Sequence, residues 1–260
     1  MSKTVFAVLG GLLLFVVSCG MEDYLYLNPV DEGGVRLDAF NTTATVSLPN
    51  FSTSEYYYFT HFSLFYRIYV SDANIIATYP YSSSDLYAIN SSLSSDFSAL
   101  SYYTSSTTTV TTNLGSQFSS RRYYALELEN RDIENILSSS SLGRQITLDF
   151  TPGRAPVLGV STSSATPPDF YTLRRTGGEG NFRPVPSDRL FFNTQDLNSS
   201  ANATALINND VADKSSAVAP RRTYASIYIV TTGRDTNFTP LYSRPTHVGI
   251  FSLPDTAAGQ

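Results

Sequence analysis

Phe62-Ser63-Leu64-Phe65-Tyr66-Arg67-Ile68-Tyr69-Val70 is the stretch that decides the fold. Its even positions, Phe62, Leu64, Tyr66, Ile68 and Val70, are apolar without a break, while Ser63, Phe65, Arg67 and Tyr69 are mixed. Successive side chains leave a strand on opposite faces, so a period of two built from aromatic and β-branched residues reads as a sheet strand with one face in a core. Extended back to Tyr57, the pattern predicts a central strand over residues 57–70.

Other stretches repeat it. In Thr223–Thr231, Ala225, Ile227 and Ile229 face one way and Tyr224, Tyr228 and Val230 the other. Ile146, Leu148 and Phe150 alternate with Gln145, Thr147 and Asp149 until Pro152-Gly153 ends the run. Tyr124, Leu126 and Leu128 mark a strand over 123–129. Further strands are expected over 35–49, 170–174 and 246–253, with a turn over 233–237. Helical spacing is sparse. Ile133, Ile136 and Leu137 fit one short helix with Asn130 as its cap. Residues 86–100 hold one or two helical turns capped by Ser94 or Ser95. Thr104–Thr112 is a threonine run readable as an exposed strand or a loop, and 193–220 is polar and loop-like.

Composition agrees with a β protein. Aromatic residues are 13% of the 260, with 18 Tyr, 16 Phe and no Trp, whereas charged residues reach only 15%. Such residues suit a pleated, half-buried surface. The formal net charge is −5, and loss of Lys3 with a leader would take it to −6. There is no basic stripe, so a nucleic-acid partner is not expected. The pairs Arg121-Arg122, Arg174-Arg175 and Arg221-Arg222 read as solvated strand entrances.

The single cysteine, Cys19, closes the N-terminal region. Lys3 precedes an apolar run, Val5–Val17, interrupted only by Gly10 and Gly11. That run is short for a bilayer span, which takes about 20 residues, and suits a signal-peptide core of roughly 7–15. Val16-Val17-Ser18-Cys19 resembles the lipobox of bacterial lipoproteins. The resemblance implies that the Cys19 thiol is diacylated, residues 1–18 are removed, and the new amino terminus is acylated. Several acyl chains are needed for lasting attachment, because one holds only marginally. Gly20 after the cysteine favours the outer membrane in some bacteria. Once Cys19 is acylated no disulfide is possible, and the apolar core must stabilise the body.

Two further resemblances concern the body. Phe62–Val70 looks like the third strand of fibronectin type III and related immunoglobulin-like sandwiches, Tyr224–Val230 like the sixth, and Ser243-Arg244-Pro245-Thr246 leads into a seventh. The lipobox together with these strands also resembles uncharacterised lipoproteins of spirochaetes. These resemblances imply a mainly all-β, immunoglobulin/fibronectin III-like β-sandwich in a cell envelope, and no functional residues. Such modules run near 100 residues. The expected layout is therefore signal peptide 1–18, lipid-anchored tether 19–34, a sandwich body 35–254 with a large insertion of short helices and loops at roughly 75–215, and a tail 255–260. Two packed β domains are the alternative.

Catalytic chemistry is poorly represented. The two histidines, His61 and His247, fall on the more polar parity of strands and read as satisfied strand residues. With one cysteine and two histidines the usual zinc ligand sets are not expected. Ser and Asp abound, but no Gly-x-Ser-x-Gly elbow occurs. Gly177-Gly178-Glu179-Gly180 lacks the Lys-Ser/Thr of a phosphate loop. Asp235 and Asn237 suggest a calcium loop only superficially. Asp210, Asp213, Asp31 and Glu32 read as solvated loop charges. No catalytic, metal or cofactor residue is assigned, and no cofactor is expected. The tyrosines fit either sheet packing or a recognition surface. The reading is a lipid-anchored envelope protein held by Cys19, with a non-enzymatic recognition or structural role. Its partners are the membrane and possible protein or surface ligands. The alternative is an envelope hydrolase or ligand-binding protein with its site in residues 75–215.

Overall fold

The period-two run at 62–70 forms the middle of the longest strand pair in the molecule. The structure, a computed structural model, describes residues 27–71, 79–105, 118, 120–161, 167–175, 192, 210–212 and 222–253. In chain order, β1 (Val35–Leu37) and β2 (Thr43–Ser47) form a hairpin, and α1 (Thr53–Tyr56) leads into β3 (Phe59–Ser71). Helices α2 (Ser83–Ile89) and α3 (Ser91–Ser105) follow, then β4 (Tyr124–Ala125), β5 (Glu127–Leu128), α4 (Ile133–Ile136) and β6 (Gln145–Asp149). The last strands are β7 (Val157–Val160), β8 (Asp169–Arg174), β9 (Val211–Ala212), β10 (Arg222–Arg234), β11 (Pro240–Tyr242) and β12 (Thr246–Ser252).

The strands make a mainly β sandwich of two sheets. One has the order β1-β2-β6-β7-β8-β5. The other has the order β11-β10-β3-β4, with β12 also on β10 and β9 also on β3. Pairing is antiparallel except between β3 and β9. The two strands likened to the third and sixth of a fibronectin sandwich, β3 and β10, are direct neighbours. Residues 75–215 carry α2, α3 and α4 together with β4–β9, so part of this stretch lies within the first sheet.

The main core lies between the sheets. Phe62, Leu64, Tyr66 and Ile68 of β3 and Ala225, Ile227 and Ile229 of β10 meet Ala44, Val46, Ile146 and Leu148 of the first sheet. The even parity of β3 and the odd parity of β10 are thus the inner faces. The opposite face of β10 is buried as well. There α2 and α3 cover Tyr224 and Ile250 with Leu86, Ile89 and Leu93, while Leu100, Phe118 and Tyr123 close over Tyr228 and Val230. A strand enclosed on two sides reads as apolar on both parities, which accounts for Thr223–Thr231.

Several boundaries differ from the sequence expectation for local reasons. Residues 35–49 are a hairpin rather than one strand. The Asp38 carboxylate accepts the backbone N–H groups of Thr42 at 2.7 Å and Thr43 at 2.9 Å, and Asn41 sits in the left-handed region at φ 55°. Helices α2 and α3 begin earlier than expected. Ser82 accepts the Asp85 N–H, and Asn90 accepts the Ser92 N–H at 2.8 Å. In α4 the cap is Asp132, not Asn130. The alternating run 123–129 changes sheets. β4 pairs with β3 and β5 with β8, while buried Leu126 donates its N–H to Leu64 at 2.8 Å. Gly233 belongs to β10, and the turn begins at Asp235. A Cβ at Gly233 would stand 2.2 Å from the Tyr58 carbonyl oxygen and 2.8 Å from Leu27 Cδ1, so glycine is required where β10 closes on the entry of β3.

Candidate functional site

The odd side chains of β3 point away from the main core, towards α3. Arg67 and Tyr69 there converge on Asp96, a helix residue only 6% exposed. The Tyr69 hydroxyl donates to Asp96 Oδ2 at 2.5 Å, and Arg67 Nη1 donates to the same oxygen. Arg121 Nε lies 3.9 Å from Asp96 Oδ1. Inward from this knot the polar contacts continue. The Tyr69 and Tyr123 hydroxyls are 3.1 Å apart, Tyr123 donates to Ser226 Oγ at 3.3 Å, and Ser226 Oγ lies 3.1 Å from His247 Nε2. A continuous seam of polar groups therefore runs from Arg67 and Arg121 to the buried His247 beneath α2 and α3.

Its electrostatics follow from burial. His247 is enclosed by the rings of Tyr79, Tyr81, Phe97 and Tyr228, with centroids 4.7 to 6.1 Å away. Loss of water disfavours the imidazolium, and its pKa falls to about 3. Burial likewise raises the Tyr69, Tyr123 and Tyr228 hydroxyls. It also pushes the Asp96 carboxyl up, against the pull of Tyr69, Arg67 and Arg121. Two atoms of the enclosed cluster, His247 Nδ1 and the Tyr228 hydroxyl, have no hydrogen-bond partner among the described residues.

At the outer end of the seam is a cleft of about 420 Å³ lined by Arg67, Ser91, Ser92, Ser95, Asp96, Ser120 and Arg121. Two guanidinium groups share one carboxylate there, among hydroxyl donors from the first turn of α3. This is a surface for polar or anionic groups. At the inner end the described residues do not complete a serine-hydrolase triad. Ser226 and His247 form the required pair, but both are buried, and Nδ1 of His247 meets no carboxylate among the described residues. No protein-family model, no curated protein and no solved structure matches the chain.

The structure redistributes the residues singled out from sequence. Cys19, Gly177–Gly180 and Asp213 lie outside the described residues. His247 is not on a polar face, because the cover of α2 and α3 buries that side of the sheet. His61 is held between the hydroxyls of Thr60 and Ser63, each 3.0 Å away. Burial lowers its pKa despite Glu134 and Asp132 nearby. Asp235 is a turn cap: its carboxylate accepts the N–H groups of Asn237 at 2.8 Å and Thr239 at 2.7 Å.

The reading of Asp210 and Arg175 as solvated charges is overturned. Both are fully buried, and Arg175 grips Asp210 through Nε at 2.9 Å and Nη2 at 2.8 Å. The Tyr66 hydroxyl donates to Asp210 Oδ2 at 2.7 Å. Arg175 follows β8 of one sheet, and Asp210 precedes β9 on the other, so the pair clamps the sheets together. Arg174, its neighbour, faces the other way and pairs with Glu129. Sequence reasoning also missed Asp96, Tyr123 and Ser226. The available signal was the two-sided apolar pattern of β10, which implies a cover over the Tyr228 face.

Proposed function

We propose that the chain is a lipid-anchored bacterial envelope protein that serves recognition rather than catalysis. The observation carrying this reading is Val16-Val17-Ser18-Cys19, an aliphatic–small–cysteine ending to a charged, apolar leader, in a chain with one cysteine. Acylation at that thiol would hold the body at a membrane by burial of hydrocarbon, each CH₂ contributing about 0.8 kcal/mol. The outer membrane is the expected location. The cleft between α3 and Arg121 supports the recognition half, because it offers fixed cationic and hydroxyl donors on a packed scaffold.

A second reading, an envelope ligand-binding protein, is favoured by the same cleft. All of its lining residues except Arg67 come from within residues 75–215. The two readings share the anchor and differ in whether the bound partner is a surface or a small solute.

The anchor is tested by labelling cells with radioactive palmitate. Wild-type chain is expected to take up label and to sediment with membranes. Cys19→Ser is expected to lose the label and to appear in the soluble fraction. Label retained by Cys19→Ser refutes the assignment.

A further inference from the structure

We infer that the end of the sandwich formed by Tyr56, Tyr57 and the 235–239 turn rests on the bilayer surface, with Tyr57 and Phe238 in the headgroup layer. For its biological setting this rests on the anchor reading given above.

Six large apolar side chains are well exposed among the described residues, and three of them gather here. Tyr57 is 80% exposed, Phe238 78% and Tyr56 52%. Tyr56 and Tyr57 end α1, just before β3. Phe238 lies in the turn that follows β10. The two segments are joined at this end, since Arg234 N–H donates to the Tyr58 carbonyl at 2.8 Å and Gly233 pairs with Phe59.

Phe238 is presented at a cost in backbone energy. Its φ is 63°, in the left-handed region where a bulky side chain is disfavoured. The turn is nonetheless rigid, because Asp235 accepts two of its backbone N–H groups and its backbone N–H donates to Thr239 at 3.0 Å. An apolar ring held out to water in a strained, fixed turn is the kind of outlier that points to a docking role.

The path of the chain selects the bilayer as the occupant. Val30 accepts the Thr246 hydroxyl, and Thr246 is level with Ile229. Asn28 accepts the Thr231 hydroxyl at 2.8 Å. Leu27 packs on Gly233. Each step back towards the N-terminus thus climbs β10 towards the 235–239 turn. Only residues 20–26 separate Leu27 from Cys19, a reach of at most about 28 Å. The strands β3 and β10 are each 13 residues long, roughly 40 Å from end to end. An anchor at Cys19 therefore holds this end of the body nearest the lipid. Phe40, the exposed aromatic beside the Ser252–Asn41 contact, lies at the far end. Charges at the near end are mixed, with Glu55, Arg234 and Asp235 all present, so aromatic partitioning rather than attraction to anionic lipid would do the docking. Tyrosine and phenylalanine suit that layer, where one part of a ring is wet and the rest is not.

The sequence supplies its own probe sites, having no tryptophan and one cysteine. Residues 19–260, which include every described residue, are coupled through Cys19 to a maleimide phospholipid in phosphatidylcholine vesicles carrying brominated acyl chains. Tyr57→Trp and Phe238→Trp are expected to shift to the blue and to lose roughly half of their emission, while Phe40→Trp and Tyr87→Trp stay near their unbrominated values. Equal, weak quenching at all four positions, or stronger quenching at Phe40→Trp, overturns the inference. The second outcome would place the far end on the bilayer, and the first would leave the aromatic end for a protein partner. Because the coupling is chemical, the result does not depend on whether cells acylate Cys19, which palmitate labelling reads separately.

Discussion

Asp210→Ala is expected to lower the free energy of unfolding by about 3–5 kcal/mol. Asp210 pairs with Arg175 at 2.8 Å, and both side chains are sealed between the sheets. Removing the carboxylate leaves a guanidinium in a low-dielectric interior without its counter-charge, and leaves the Tyr66 hydroxyl without the acceptor it now uses. The penalty is the uncompensated desolvation, which exceeds the net worth of the pair. At about 2–4 °C per kcal/mol for a body of this size, the midpoint of thermal unfolding should fall by on the order of 10 °C. Replacing both partners, Arg175→Met with Asp210→Leu, should recover much of the loss, since no charge then stays buried. Urea unfolding of the two variants checks this. A loss below 1 kcal/mol for Asp210→Ala would mean that the pair is solvated.

The second large effect is acid sensitivity carried by His247. Its pKa is about 3 in the folded protein because its site is dry and aromatic, against about 6.5 in an unfolded chain. Above pH 6.5 the imidazole is neutral in both states and no stability is lost. Between those values the unfolded chain takes up a proton that the folded protein refuses, so stability falls as pH falls. The slope approaches 1.4 kcal/mol per pH unit. Below about pH 3 both states are protonated and the slope vanishes. His247→Gln keeps a polar contact for Ser226 and removes the titration. It should be less stable than wild type at pH 7, and the difference should shrink or reverse by pH 4. His61, also lowered by burial, remains in both proteins and cancels. Denaturant curves of the two proteins at pH 7, 5.5 and 4 measure the double difference. A gap independent of pH would show that His247 takes up its proton as readily in the folded protein as in the unfolded chain.

The contrast between these residues and the strands marks what the sequence could carry. The parity of Phe62, Leu64, Tyr66 and Ile68 was legible because a sheet face is a local property, repeated every second residue. Both faces of β10 were legible for the same reason, and the sandwich followed. Arg175 and Asp210 were not legible. Each sits in a polar stretch, and the partner that makes burial tolerable is 35 positions away. His247 was misread because strand parity says which side of a sheet a residue is on, not whether another layer covers that side. That layer, α2 and α3, is built from Ser-rich sequence with weak apolar periodicity, where the caps Ser82 and Asn90 set the boundaries. The run 123–129 alternates cleanly across a change of sheet, since Leu126 keeps the pleat while its flanking pairs go to different partners. The Arg67–Asp96–Tyr69 knot likewise joins a strand to a helix and leaves no mark in either stretch alone.

The proposed placement of the body at a membrane turns on one thiol, Cys19. Intact mass measurement of the native chain extracted from its cells in mild detergent tests it most directly. A mature chain starting at Cys19, lacking residues 1–18 and heavier by three acyl chains with their glyceryl link, is the expected result. A chain that retains Met1–Ser18, or one whose Cys19 reacts as a free thiol, would contradict the lipid anchor and with it the envelope role.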